Sequence, residues 1–158
     1  MASANSPGDW VQGSERFFKV VKKATGGGSA IARGKVVILN ESTGVWGLAG
    51  TGGSLLGRFG VVVLTNTDSE AVMTICTGGG TVYVTADGAI KPDAACETSA
   101  TNAGNVIAYS GSGTYAAGLF REIVGYYRGH TDEGDNSKDH PATDAAATDV
   151  VKLELSKI

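Results

Sequence analysis

Short runs of β-branched and aromatic residues, each closed by Gly, Asn, Asp, Ser or Thr, recur along this chain. They include residues 35–39 (KVVIL), 60–65 (GVVVLT), 71–76 (AVMTIC) and 81–85 (TVYVT). Such runs favour extended backbone, and their boundary residues favour tight turns. The final segment alternates most cleanly: Lys152 and Glu154 separate Val151, Leu153 and Leu155. A period of two puts one face in a core and the other in water, so Lys152 and Glu154 are expected to face solvent. Tyr126 and Tyr127, being consecutive, must point to opposite sides of a strand. No segment sustains a helical 3.6 period. The pattern predicts an all-β fold, a single β-barrel or β-sandwich of about eight to ten short strands.

Between the runs the chain changes character. Residues 1–13 contain Pro7, Gly8 and one large apolar side chain, Trp10, with no strand or helix pattern. They are expected to form a flexible N-terminal arm on a barrel domain spanning residues 14–158. Residues 50–57 are glycine-rich and read as flexible. Residues 91–104 are small and polar, a loop or one short helix. Residues 129–148 are a polar surface insertion. The glycine triplets at 26–28 and 78–80 have different flanks and are not a repeat.

Composition narrows the function. The chain has 24 glycines in 158 residues and only 18% charged residues. The usual charged share is about 25%. A surface poor in charge and rich in small residues suits a rigid protein that sits against other proteins. The net charge of −3 argues against nucleic acid as a partner, because a phosphate backbone needs a basic surface. The charge is uneven. Residues 15–23 hold Arg16, Lys19, Lys22 and Lys23 against Glu15, interleaved with Phe17, Phe18, Val20 and Val21. The insertion and its end hold Asp132, Glu133, Asp135, Asp139, Asp144 and Asp149 against Lys138, a solvated stretch. Residues 1–13 have no apolar core of a secretory signal, and no apolar run is long enough to span a bilayer. These features lead to the expectation of a chain made in a cytoplasm, without a membrane partner. The two cysteines, Cys76 and Cys96, match neither a redox nor a zinc spacing. Cys76 reads as a buried small hydrophobe.

Catalytic patterns are weak. Residues 50–55 (GTGGSL) resemble half a nucleotide loop but lack the following lysine and a helix behind them. His130 and His140 lie in the acidic insertion, whose spacing lacks the ligand pattern of a calcium loop. Ser112 stands in no nucleophile elbow and reads as a turn residue. No catalytic residue, metal or cofactor is assigned. The better signal is aromatic. Trp10, Arg16, Phe17, Phe18 and Lys19 form a candidate partner interface, since exposed aromatics beside cations mark contacts.

The order of these pieces resembles a family of tailed-phage capsid decoration, or cement, proteins, which are small β-barrels with glycine-rich strand ends. The resemblance covers residues 32–155. It rests on residues 32–37 (ARGKVV), 44–49 (GVWGLA), 81–84 (TVYV), 87–92 (DGAIKP), 123–126 (IVGY) and 149–155 (DVVKLEL). It implies a non-enzymatic protein on the outer surface of a virion, bound to the major capsid protein and to copies of itself as a trimer. The long arm and the 129–148 insertion depart from the family pattern. Two other readings stand beside it: a virion fibre or receptor-binding module, and a small β-barrel hydrolase using His130 or His140.

Overall fold

The computed structural model describes residues 5–50, 58–99, 101–109, 123–130 and 144–156. Among these the fold is all-β. One four-residue 3₁₀ turn, Ser14–Phe17, precedes ten strands. The first five are β1 (Phe18–Lys22), β2 (Val36–Asn40), β3 (Val45–Leu48), β4 (Phe59–Val62) and β5 (Val72–Cys76). The second five are β6 (Thr81–Thr85), β7 (Ala95–Thr98), β8 (Val106–Ala108), β9 (Gly125–His130) and β10 (Val150–Leu155).

The strands form two five-stranded antiparallel sheets, ordered β1-β5-β4-β2-β3 and β6-β10-β9-β7-β8. The second order is the first with every strand advanced by five. The registers agree residue by residue. Val37 lies opposite Leu48 and Gly60, and Cys96 lies opposite Ala108 and Gly125. Val62 faces Ile75 as Tyr127 faces Leu153. In each sheet the residue after the first strand makes a parallel bridge to the last strand in the order, Lys23 to Trp46 and Ala86 to Val106. These bridges draw the sheet edges together, although neither ladder closes into a barrel. The chain is therefore two copies of one curled unit, a repeat that side-chain chemistry hides.

Two local devices recur. Gly60 and Gly125 occupy equivalent places on β4 and β9. A Cβ on Gly60 would lie 2.8 Å from the Cys76 carbonyl oxygen, and one on Gly125 would collide with the Glu154 carbonyl. Glycine here lets neighbouring strands approach. Ile31 and Ile90 each lead into the turn before the unit's second strand. Ile90 exchanges backbone hydrogen bonds with Ala145, 3.1 and 2.9 Å. Asn66 supplies the same pair to Ile31 with its side chain: Oδ1 accepts from the Ile31 N–H at 3.0 Å and Nδ2 donates to its carbonyl at 2.8 Å.

Two apolar clusters hold the units. The smaller lies inside the first curl: Val37, Trp46, Val62, Met73 and Ile75. The larger fills the second curl with Val84, Ile90, Cys96, Tyr127, Val151 and Leu153. It also joins the units through Val36, Phe59, Val61 and Cys76 of the first. Tyr127 is fully buried and Tyr126 is 39% exposed, as the alternation requires.

Four expectations change. Lys152 does not face water; it is 3% exposed. β10 is an interior strand between β6 and β9, and Tyr83, opposite Lys152, is itself buried. Residues 95–98 form β7 rather than a loop or helix, because Cys96 and Thr98 supply a buried alternate face. The polar insertion is shorter than 129–148: Gly129 and His130 complete β9 and Ala145 is buried. Residues 131–143 lie outside the described residues, as do 51–57 of the glycine-rich stretch. Finally, residues 5–13 are not a loose arm, as follows.

Candidate functional site

Residues 8–11 lie along β6 as an added antiparallel segment. The Gly8 N–H donates to the Tyr83 carbonyl at 2.7 Å, the Tyr83 N–H to the Asp9 carbonyl at 2.9 Å, and the Val11 N–H to the Thr81 carbonyl at 3.0 Å. Trp10 bridges Val82. Its ring meets Phe18 edge-on, 5.1 Å between centroids, and its indole N–H donates to Glu15 at 2.9 Å. Glu15 also accepts from its own backbone N–H, and these bonds hold its carboxyl below the ordinary range. Ser14 fastens the following turn, its hydroxyl donating to the Thr81 carbonyl and accepting the Thr81 N–H. Arg33 ties the segment to the first unit through Asp9 at 2.9 Å. A strand edge left bare would expose three backbone groups, so local pairing overrides the weak propensity of this segment.

The five candidate interface residues thus divide. Trp10, Phe17 and Phe18 are half-buried against the larger cluster. Arg16 and Lys19 are exposed, with the Arg16 guanidinium stacked 5.0 Å over the Phe17 ring. Phe17 and Lys19 line a groove of about 740 Å³ at the open end of the first curl, together with Val21, Leu39, Trp46 and Arg58. Its floor is apolar and its rim carries the exposed cations Lys19 and Arg58. Beside it runs the outer edge of β1, where Val20 is 69% exposed. Leu39, Trp46 and Arg58 were not candidates from sequence. Pairing of Leu39 with Trp46 and the Leu39 N–H bond to the Arg58 carbonyl gather these three, and the curl of the sheet brings them opposite Phe17, Lys19 and Val21.

Elsewhere the chemistry is structural. A smaller recess of about 390 Å³ lies at the far end of the same curl under the loop carrying Ser29 and Ile31. Asp68 pins that loop by accepting the Ala30 N–H at 2.6 Å and the Gly28 N–H at 3.3 Å, which hold its carboxyl below the ordinary range. Asp87 accepts hydrogen bonds from Ser99 and Asn102, the principal reason its carboxyl too is held low. Cys76 and Cys96 are unpaired and buried, and burial pushes both thiols up to about 12. Among the described residues no group of three His, Cys, Asp or Glu side chains could hold a metal ion. His140 and Ser112 lie outside the described residues, and His130 ends β9. No helix among the described residues is long and apolar enough to cross a membrane.

Comparison with known protein families, with curated proteins and with solved structures finds no match to this chain.

Proposed function

We propose that this chain is a capsid decoration protein of the tailed-phage kind. It binds the outside of an assembled coat lattice, bridges coat subunits and stabilises the shell. The observation that carries the reading is the open edge and cationic, apolar groove of the first unit, set on a scaffold whose two curled sheets share one core. The strand order of the sequence resemblance supports it. A rigid scaffold loses little conformational freedom on docking. A lattice offers many copies of one site, so modest single contacts become strong by avidity when copies associate, for instance as a trimer. The reading needs no cofactor, nucleic acid or membrane, and the major capsid protein is the partner.

The test is co-sedimentation. Coat shells of the virus encoding this chain, assembled without it, are mixed with the purified protein. Saturable pelleting with the shells is expected. Protein left in the supernatant at all shell concentrations refutes the reading.

A further inference from the structure

The structural repeat supplies a template for what the first unit is missing. Of the outward groups of β6, residues 8–11 take the Thr81 carbonyl and the Tyr83 N–H and carbonyl, and the Ser14 hydroxyl takes the Thr81 N–H. Register places Phe18 and Val20 at the equivalent positions of β1. The ladder confirms their direction. The Lys23 N–H donates to the Ala71 carbonyl and the Thr77 N–H to the Phe17 carbonyl, so odd-numbered residues of β1 bond to β5. Even-numbered residues then point their backbone groups away from it. The Phe18 N–H closes its own turn onto Glu15, and the bridge to Trp46 occupies the far end near Lys23. Among the described residues, the Phe18 carbonyl and both backbone groups of Val20 remain without a strand. These are the same three groups that the second unit has filled.

We infer that the outer edge of β1 is a docking site for an extended acidic segment of a partner protein. The segment adds to the first sheet as an antiparallel strand and places one large apolar side chain in the groove. The acidic character follows from the surroundings: Arg16, Lys19, Lys22 and Arg58 are all exposed here, and none makes an ion pair among the described residues. The anchor follows from the template. Trp10 stands opposite Val82, whose equivalent on β1 is Lys19 at the groove. The segment on β6 itself combines an acid, Asp9, with an aromatic. Main-chain pairing supplies affinity in such strand addition, and the alternate side chains supply specificity. If the decoration reading holds, a coat subunit provides the strand. The peptide experiment below needs no capsid, so the two ideas can fail separately.

The probe is a seven-residue peptide of alternating glutamates and apolar residues with phenylalanine at its centre, titrated into the full-length protein. Its lysine counterpart and a single-stranded oligonucleotide serve as controls. The glutamate peptide should bind, weaken with added salt, and slow amide exchange at Val20 by about tenfold or more. Val20→Pro, which removes only an outward N–H, should abolish binding. Lys19→Glu with Arg58→Glu should weaken it by about tenfold. The charge variant carries the test alone if the proline variant loses its fold. No binding of the glutamate peptide, binding without protection of Val20, or tighter binding of the oligonucleotide at this edge would each overturn the proposal. In the first two cases the lysines merely guard an edge against pairing.

Discussion

Replacing Trp10 by Ala tests whether the N-terminal segment is part of the fold. Full burial of Trp is worth about 3–5 kcal/mol against Ala. Trp10 is half-buried against the larger cluster, which scales this to roughly 2 kcal/mol. Its edge-on contact with Phe18 adds about 0.5–1 kcal/mol. The bond to exposed Glu15 adds little, since water replaces it. The expected loss is about 2–3 kcal/mol. With a urea dependence of about 2 kcal/mol per molar, the unfolding midpoint should fall by roughly 1–1.5 M at unchanged slope. Val11→Ala is the control, because Val11 is 38% exposed and should cost under about 0.5 kcal/mol. A Trp10→Ala midpoint within about 0.25 M of the parent would refute the packed segment and restore a loose arm.

The repeat predicts matched sensitivity at Gly60 and Gly125. Alanine at either must push a neighbouring strand's backbone, costing about 1–3 kcal/mol in each unit, as read by thermal unfolding; a neutral effect at either would break the equivalence. Both cysteines should resist alkylation in the native protein at pH 8 and react only on unfolding, because their thiols are raised to about 12. Asp68 has a depressed carboxyl, so its contribution is present above the ordinary 3.8 and is lost as pH falls through the lower native value. The protection of the Gly28 and Ala30 amides, taken relative to intrinsic exchange at each pH, should therefore fall in acid, and Asp68→Asn should show the low protection already at neutral pH and no acid step.

The fold class was legible because its causes are local. Runs such as Thr81–Thr85 are bounded by turn residues, and Leu153 and Leu155 show which side of the last strand is buried. What escaped depends on distant pairing. Val37 and Cys96, Trp46 and Val106, Val62 and Tyr127 occupy equivalent interior places. Apolar residues of different shape satisfy each place, so the repeat leaves almost no trace in residue identity. Lys152 misled because a period of two assumes a face that is wet along its whole length, whereas this face of β10 is open at Glu154 and covered at Lys152, beside buried Tyr83. The segment at 8–11 lacks strand propensity, and its backbone is ordered by the bare edge of β6. Of the candidate interface, Phe17 and Lys19 line the groove. Trp10 and Phe18 pack against this chain's own core, since an aromatic near a terminus signals contact without saying whether its partner is foreign or its own chain.

The proposed role, decorating and stabilising a coat lattice, places this chain on the outside of an assembled shell. Electron cryomicroscopy of coat shells from the encoding virus, with and without the added protein, tests it most directly. Extra density is expected on the outer surface at symmetry-related positions, with the first unit's β1 edge and groove facing the coat and a higher temperature of shell disruption. Bare shells, or density confined to the interior or to tail components, would contradict it.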